Sequence, residues 1–479
     1  MTRSSVVIVG GGISGLSAAW ELSGGASGPS ATTPRIEVVE QGPLFGGALR
    51  TTEFAGRTID LGADGFLARR PEAVRLVREL GHEDNLEPIG ASGAWIWLDG
   101  ALRELPTGLV LGVPTSARQV RSVQGLSWRS RLNAWRDTFV PKRAKFASDA
   151  SIGDIVRTKL GRELSYQFIE PMIGGIQAGR IDQLSAKSVF PALLTAAQKG
   201  GSLMKAIRPQ GPVNPGPQAA TSTEGPVFFS LTNGVGSLAS MLVRQLEERG
   251  VVLRANTSVT ALRRTPAGMY PWEVDCAETT TPANFVVMAT PAPTVAQLLG
   301  AQHPDLEALG TIASAGAAMI SFHFSETDIE LPPTGTGVLV PLGTAWSGEG
   351  SLLTTAITFL DRKWQHLKRD GDVVLRVHVG RSDDTRWTEL SDEELTQRVT
   401  LELQFILKKM GAPLATRVQR WPLGLPQYLV GHEELVARAR AASASMQVSL
   451  AGNAYDGVGI PASIGSGRVA ASEALASLL

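Results

Sequence analysis

The first residues whose types and spacing indicate chemistry are three glycines near the start of the chain. Gly10, Gly12 and Gly15 follow the β-branched run VVIV and open a helix-forming stretch. This G-x-G-x-x-G order suits a strand, a tight turn and a helix whose N-terminus binds a pyrophosphate. The first glycine permits the turn, the second lets backbone approach the phosphates, and the third packs the helix on the strand. The motif alone also describes a glycine-rich turn without a ligand.

An acid and two further glycine turns favour the ligand. Glu40 ends the strand-like run RIEVVE, where a carboxylate can bind a ribose hydroxyl pair. Gly46 and Gly47, followed by Arg50, exclude bulky side chains where the ribityl chain of FAD would pass. The run IDLGADGF, Ile59 to Phe66, adds another compact turn. In this order the turns predict FAD rather than a nicotinamide cofactor.

The composition restricts the class of protein around these turns. The 479 residues suggest two or three domains, and the equal numbers of basic and acidic residues, 45 each, argue against nucleic acid as a partner. One cysteine and six scattered histidines give no disulfide and no metal-ligand spacing, so no metal is expected. No apolar run is long enough to span a bilayer, and the start of the chain lacks a signal-peptide core. A cytoplasmic protein is expected.

Five segments outside the common nucleotide motif carry a family resemblance. They are LRELPTG (Leu102 to Gly108), GGIQAGRIDQLSAKSVFP (Gly174 to Pro191), VVMATPA (Val286 to Ala292), RWPLGLPQYLVGH (Arg420 to His432) and AGNAYDGVGIP (Ala451 to Pro461). With them the chain resembles, over nearly its whole length, the FAD-dependent oxidases of the amine-oxidase superfamily. Within that superfamily it is most similar to the protoporphyrinogen and coproporphyrinogen oxidase family of haem biosynthesis.

The resemblance implies an α/β fold: a discontinuous Rossmann-like FAD-binding domain, a mixed-sheet substrate domain and a helical insertion. The FAD-binding domain would take residues 1–90, 226–300 and 415–479, the helical insertion 91–205, and the substrate domain 301–414. The runs AMISFHF, GVLVP, LLTTAITF and VVLRVHVGR predict strands of a sheet over the flavin. The segment Pro209 to Pro226, rich in Pro, Gly, Ser and Thr, predicts a loop.

The helical insertion has a basic face that contains tryptophans. Its members are Trp128, Trp135, Arg129, Arg131, Arg136, Lys142, Arg143 and Lys145. Such a face suits peripheral contact with a membrane interface, and it equally suits an ordinary solvated helix. Peripheral membrane contact and self-association stay open at this point.

The resemblance also implies a set of binding residues. The cofactor set is Gly10, Gly11, Gly12, Ile13, Ser14, Gly15, Glu40, Gly46, Gly47, Arg50, Gly62, Ala63, Asp64, Gly65, Val259, Trp421, Gly452, Val458, Gly459 and Ile460. The substrate set is Gly175, Ile176, Gln177 and Arg180, on a turn from Gly174 to Gly179 that would bring backbone next to a flat macrocycle. No catalytic side chain is predicted, because the flavin carries the chemistry.

The late glycine turn is predicted to hold the reactive end of the same FAD. A strand QVSLAG should end at Gly452, and a helix should begin after Pro461. The turn through Gly457 and Gly459 would then place backbone N–H groups and the helix N-terminus against the isoalloxazine ring, where they stabilise negative charge.

The reaction implied is oxidation of a porphyrinogen to a porphyrin in three two-electron steps, with O₂ as the acceptor and hydrogen peroxide as its product. Protoporphyrinogen-type relatives often carry an arginine where this chain has Ala94. Many relatives carry an aromatic residue and an acid where it has Gln177 and Arg180. Branch-like motifs favour coproporphyrinogen III, with four propionates, over protoporphyrinogen IX. Lys363, Arg376 and Arg381 are then candidates for propionate contacts at the cavity mouth, or surface charges; Arg180 has the same two interpretations.

Two other classes remain at this stage. An amine oxidase or carotenoid desaturase shares the N-terminal motif, and Trp421, Tyr428 and Tyr455 offer a partial aromatic wall for an amine. A flavin-binding scaffold without turnover would fit the departures at Ala94, Gln177 and Gly465.

Overall fold

The computed structural model describes residues 3–122, 125–141, 144–208, 225–265, 269–346 and 350–479. In chain order its strands are β1 (Ser5–Val9), β2 (Arg35–Val39), β3 (Thr51–Phe54), β4 (Arg57–Asp60), β5 (Phe66–Leu67), β6 (Leu86–Pro88), β7 (Trp95–Leu98), β8 (Ala101–Glu104), β9 (Phe228–Leu231), β10 (Val252–Arg254), β11 (Val259–Arg264), β12 (Trp272–Cys276), β13 (Thr280–Ala283), β14 (Phe285–Met288), β15 (Ser314–Ser325), β16 (Gly337–Leu339), β17 (Thr354–Phe359), β18 (Asp372–Val379), β19 (Ala415–Pro426) and β20 (Val448–Leu450).

The α-helices are given next, again in chain order. They are α1 (Ile13–Leu22), α2 (Pro71–Glu79), α3 (Ala117–Ser122), α4 (Trp128–Phe139), α5 (Ile152–Leu160), α6 (Arg162–Leu164), α7 (Glu170–Gln177), α8 (Ala186–Val189), α9 (Pro191–Lys199), α10 (Leu203–Ala206), α11 (Ser237–Glu248), α12 (Ala292–Leu299), α13 (Pro304–Glu307), α14 (Leu360–Lys363), α15 (Asp392–Leu407), α16 (His432–Ala444) and α17 (Ile460–Leu478). Lys142, Arg143 and nearly all of the predicted loop, residues 209–224, lie outside the described residues.

A parallel sheet of five strands, in the order β10-β2-β1-β14-β20, forms the first layer. Each residue of β1 is buried, as expected for a central parallel strand covered on both faces. Helix α17 packs so closely on α1 that a Cβ on Gly467 would lie 2.1 Å from the Ser14 carbonyl oxygen. Because the strands are parallel, the turns that follow β1, β2 and β20 all lie at one edge of this sheet.

A larger sheet of seven strands, in the order β19-β15-β18-β17-β16-β7-β8, forms the second layer. It contains the four predicted strand runs, and its strands are antiparallel except for the pair β16 and β7. One face packs against α15 through Ile320, Phe322, Val377, Val399 and Leu403. The sheet draws β7 and β8 from the segment assigned to the helical insertion, and β19 from the last FAD-binding segment. The α/β class with a mixed second sheet is confirmed.

Helices α3 to α10 form a third region with its own apolar core, which includes Ile155, Phe168, Ile173 and Leu193. Within this region a π-helical turn, Ser165–Ile169, joins α6 to α7. Across the described parts of the chain, no helix is both long and apolar enough to cross a membrane.

Candidate functional site

The first glycine turn has the geometry that the motif predicts. Gly10 has φ of +105°, and a Cβ there would lie 2.5 Å from the Ala289 carbonyl oxygen. A Cβ on Gly15 would lie 2.0 Å from the Gly10 carbonyl oxygen, whereas one on Gly12 would meet no protein atom within 4 Å. No side chain caps the N-terminus of α1 at Gly12. Gly10 and Gly15 therefore shape the turn, and Gly12 with the first helical residues, Ile13 and Ser14, leaves an open surface suited to an anion.

Glu40 lies beside this turn, as predicted, and two backbone bonds fix its carboxylate. Oε2 accepts the Gly11 N–H at 2.8 Å, and Oε1 accepts the Gly42 N–H at 2.7 Å. The segment that leads into β11 and Val259 lies close by, since the Thr257 N–H donates to the Glu40 carbonyl oxygen at 2.9 Å. Each carboxylate oxygen keeps further acceptor capacity, so these bonds leave room for ribose hydroxyls.

The second turn joins the first directly. The Gly46 N–H donates to the Gly11 carbonyl oxygen at 2.8 Å, and Gly46 and Gly47 have φ of +106° and +62°. The Arg50 Nε–H donates to the Gly47 carbonyl oxygen at 2.9 Å. A Cβ on Gly62 would lie 2.4 Å from the Ala48 carbonyl oxygen, so the Ile59 to Phe66 turn follows next to this one. The glycine turns form one continuous backbone surface.

The late glycine turn reaches the same sheet edge from β20. The Gly452 N–H donates to Ser466 Oγ at 2.9 Å, and the Tyr428 hydroxyl donates to the Asn453 carbonyl oxygen. Gly452 and Gly459 have φ of +134° and +107°, and a Cβ on either would meet no protein atom within 4 Å. Helix α17 begins at Ile460, whereas the sequence predicted a start after Pro461. Val458 and Ile460 therefore flank a second open backbone surface, at the edge that also carries the Gly10 turn.

The seven-stranded sheet holds the turn that contains Gly62, Ala63, Asp64 and Gly65. Trp421 Nε1–H donates to the Leu61 carbonyl oxygen at 3.0 Å, and Arg376 donates to the carbonyl oxygens of Asp60 and of Gly62, the latter at 3.0 Å. Lys363 Nζ lies 2.8 Å from Asp64 Oδ1, and the nearby cations Lys363 and Arg376 hold the pKa of Asp64 well below its usual range although burial opposes this.

Two of the three cations proposed for the cavity mouth do not lie there. The Arg376 and Arg381 side chains are only 2% and 3% exposed, and both are bonded within the protein. The predictions of propionate contacts and of surface charges are therefore both wrong for them. Lys363 is half-buried and paired with Asp64. The sequence did not indicate these ion pairs, because the partners of Arg376, Arg381 and Lys363 are distant in the chain.

The sheet face that meets the glycine turns carries partly accessible side chains, and we interpret this face as the wall of a cofactor and substrate cavity. Directly paired residues lie on one face of a sheet, and the pairs Gln419–Met319, Met319–His378, His378–Ala356 and Ala356–Leu339 define one row across five strands. These side chains are partly accessible, while residues of the opposite face such as Ile320 and Val377 are fully buried. Trp421 and Arg376 lie on the accessible face and contact the Leu61–Gly62 turn.

The substrate segment predicted as a turn is instead the end of a helix. Helix α7 continues to Gln177, and only Ala178, with φ of +49°, is left-handed. The glycines allow close packing within the helix: a Cβ on Gly174 would lie 2.2 Å from Arg381 Nη2. Gly175 faces Leu339 on the cavity wall, and Ile176 is exposed. The end of α7 therefore does reach the cavity.

A buried ion pair and a hydrogen bond fix α7 against the sheet. Arg381 Nη2 donates to Glu170 Oε1 at 2.7 Å, and the Gln427 amide donates to the Gln177 carbonyl oxygen at 2.8 Å. Arg180 is partly exposed, but its guanidinium is bonded to Asp383 at 2.8 Å. Burial raises the pKa of Glu170 even though Arg381 opposes the shift.

Asp60 gives the site a pH-dependent stability. Its carboxylate accepts the Val235 and Gly236 N–H groups at 3.1 and 2.9 Å, and burial raises its pKa from 3.8 to about 6. Since the folded state binds this proton more tightly, the stabilisation is full below about pH 3.8 and is lost as the pH rises through about 6. We expect the unfolding free energy of the wild type, minus that of Asp60→Asn, to fall by about 2 kcal/mol between pH 4 and 7 in urea titrations. A difference independent of pH would contradict this.

Comparison with known proteins places this geometry in a family. The model of the flavin containing amine oxidoreductases matches residues 13–475. The chain belongs to this family. It is 32% identical to a coproporphyrinogen III oxidase of Bacillus subtilis, over 99% of each chain, and 27% identical to a protoporphyrinogen oxidase of Homo sapiens, over 98% of each. A solved structure from Exiguobacterium sp. 255-15, provisionally assigned as a protoporphyrinogen oxidase, has a TM-score of 0.85 and 30% identity over 99% of both chains.

Membership in the flavin containing amine oxidoreductase family confirms the predicted cofactor, FAD. The residues fit a long dinucleotide: Gly12, Gly452 and Gly459 leave protein-free space where a Cβ would stand, and two of these three have φ values that favour glycine. The row of the seven-stranded sheet that includes His378 faces this edge, and no motif in the sequence indicated that row. The alternation of polar and apolar residues along β18, from Leu375 to Val379, was the available signal, but its interpretation requires the order of the strands.

Proposed function

We propose that the chain is an FAD-dependent porphyrinogen oxidase of haem biosynthesis that converts coproporphyrinogen III to coproporphyrin III. The observation that carries the proposal is the full-length relation to a coproporphyrinogen III oxidase, at 32% identity. The cavity between the glycine turns, the end of α7 and the sheet supports it, because a flat macrocycle needs a largely apolar slot with few polar groups. Protoporphyrinogen IX is the alternative substrate.

The residues of the chain would position the cofactor and exclude water. When bound, FAD supplies the acceptor for the hydrogen and electron pair of a meso carbon, and O₂ then receives the electrons and yields hydrogen peroxide. Gly10 to Gly15 would hold the pyrophosphate, Glu40 and Val259 the adenosine half, and Gly62 to Gly65, Trp421 and Gly452 to Ile460 the flavin half. Met319, Ala356 and Leu339 would keep the substrate side dry.

Steady-state oxidation of both porphyrinogens by the purified holoprotein tests the proposal. We expect porphyrin formation with a clear preference for coproporphyrinogen III, at six electrons per porphyrin and three molecules of peroxide. A preference for protoporphyrinogen IX would overturn the substrate assignment. Peroxide release with a polyamine, and none with either porphyrinogen, would overturn the reaction class.

We also propose that α4 contacts a membrane interface. Trp128, Leu132, Trp135 and Phe139 are 68%, 43%, 49% and 62% exposed and recur at the spacing of a single helical face. Exposed Arg129, Arg131 and Arg136 lie on the same helix, which suits anionic lipid headgroups.

Flotation with phosphatidylglycerol vesicles tests this contact. We expect the wild type to float with the vesicles and the double variant Trp128→Ser/Trp135→Ser to lose at least roughly tenfold in binding, because two interfacial aromatic side chains are removed. Leu401→Ser, an exposed leucine on α15, is the matched control and should bind as the wild type does. Equal flotation of both variants would contradict the proposal.

A further inference from the structure

His378 is the histidine at the centre of the cavity wall. It lies on β18 between Met319 of β15 and Ala356 of β17, in the accessible row of the sheet. Its Nε2 lies 3.2 Å from the Thr358 hydroxyl oxygen, and the Thr355 hydroxyl donates to its backbone carbonyl oxygen at 3.0 Å. Among the bonds of the described residues, none is made to its Nδ1. The ring is therefore held at one nitrogen and open at the other.

The charges around this ring keep it neutral. Arg376 lies two residues away on the same strand, and Lys363 and Asp64 are the other charged groups near the ring. Burial, the Arg376 charge and the Lys363 charge lower the pKa of His378 to about 3, with Asp64 opposing them. An uncharged imidazole presents a lone pair to the cavity and repels no cationic species that forms beside it.

The proposed reaction needs a proton acceptor. Each two-electron step removes a meso hydrogen with its bonding electron pair and releases one N–H hydrogen as a proton. Over the three steps one further meso hydrogen moves to nitrogen by tautomerisation, so that four meso hydrogens and two N–H hydrogens leave in total. Once the meso hydrogen has left, the nitrogen belongs to a conjugated iminium cation, whose N–H is far more acidic than that of a pyrrole. A weak base therefore suffices, provided that it is uncharged and within hydrogen-bond reach.

We propose that His378 is this acceptor and takes the N–H proton at Nδ1, while its Nε2–H donates to Thr358. The inference rests on the proposed function. The N–H bond breaks and an N–H bond forms on the imidazole, with no change in oxidation state. The imidazolium next to Arg376 and Lys363 is unfavourable, so it passes the proton to water and returns to the neutral form; the released proton balances the one consumed when O₂ becomes peroxide.

Two other side chains near this face, Asp64 and His323, are unsuitable as acceptors of the N–H proton. Asp64 is ion-paired with Lys363 at 2.8 Å. His323 lies on the same face of β15, four residues further along the strand than Met319, and its Nε2 is 3.1 Å from Asp372 Oδ1. His323 therefore provides a control for the same chemical change outside the cavity.

Anaerobic single-turnover mixing of the holoprotein with coproporphyrinogen III tests the assignment. We expect His378→Gln, which can keep the bond to Thr358, to slow flavin bleaching roughly 100-fold, and His323→Gln to leave it unchanged. Coproporphyrin affinity, measured by fluorescence quenching, and flavin content should match the wild type. Added imidazole should restore part of the rate of His378→Ala, an effect that a purely structural role would not produce.

The outcomes separate the two proposals. An unbleached wild type would overturn both the function and the role of His378. A bleached wild type with an unaffected His378→Gln, or a slow His378→Ala that binds porphyrin normally and gains nothing from imidazole, would overturn only the role of His378.

Discussion

Gly12→Val should yield a folded protein that no longer retains FAD. Residue 12 has φ of −68°, and a Cβ there would meet no protein atom within 4 Å, so the chain itself accommodates a side chain. A valine would instead occupy the space through which the backbone approaches the pyrophosphate. We expect the dissociation constant of FAD, measured by fluorescence quenching of the apoprotein, to rise at least roughly 100-fold, or about 2.7 kcal/mol.

Two companion variants separate loss of the ligand from loss of the fold. Gly15→Val must also lower the melting temperature of the apoprotein, because its Cβ would lie 2.0 Å from the Gly10 carbonyl oxygen. Gly459→Leu should release FAD through the second turn, with an added backbone cost of about 1–2 kcal/mol at φ of +107°. Full FAD retention by Gly12→Val would contradict the pyrophosphate assignment, and full retention with activity by Gly459→Leu would contradict the flavin assignment.

Arg381→Met should destabilise the protein by about 3 kcal/mol, the second large effect. The substitution leaves the fully buried Glu170 carboxylate without its closest cation, at 2.7 Å, and uncompensated buried charges are costly. The unfolding free energy from urea titration measures the loss. Because Glu170 then gains more from protonation, the deficit relative to the wild type should shrink at acidic pH.

Arg180→Met is the matched control for this variant. Its guanidinium is partly exposed and lies 3.7 Å from the same carboxylate, so we expect a loss below about 1 kcal/mol. Equal losses for the two variants would show that the buried pair does not fix α7. A loss from Arg381→Met that stays constant with pH would contradict the part assigned to Glu170.

The parts of the fold that could be predicted are those encoded by short segments. The Gly10 to Gly15 motif, the acid at Glu40 and the late turn at Gly459 each depend on neighbouring residues and on backbone angles that few other residues adopt. Their arrangement at one edge followed from the parallel order of β1 and β20, which the family resemblance supplied.

The parts of the fold and of the site that could not be predicted depend on contacts between residues distant in the sequence. Arg376 contacts the carbonyl of Gly62, and Arg381 contacts Glu170, across 314 and 211 positions of sequence. Neither contact can be inferred from the charge of the arginine alone. An arginine whose partner is not evident in the sequence suggests a surface residue. Gly174 and Gly175 resembled a turn, yet they lie in a helix, and Gly174 allows that helix to pack closely on Arg381. His378 became visible only when the strand order set its row.

Anaerobic titration of the yellow holoprotein tests the proposed function, because it joins the cofactor, the cavity and the substrate in a single measurement. We expect coproporphyrinogen III to bleach the flavin absorbance fully, and faster than protoporphyrinogen IX does, with porphyrin absorbance appearing in step. A flavin that stays oxidised with both porphyrinogens would contradict the proposed function.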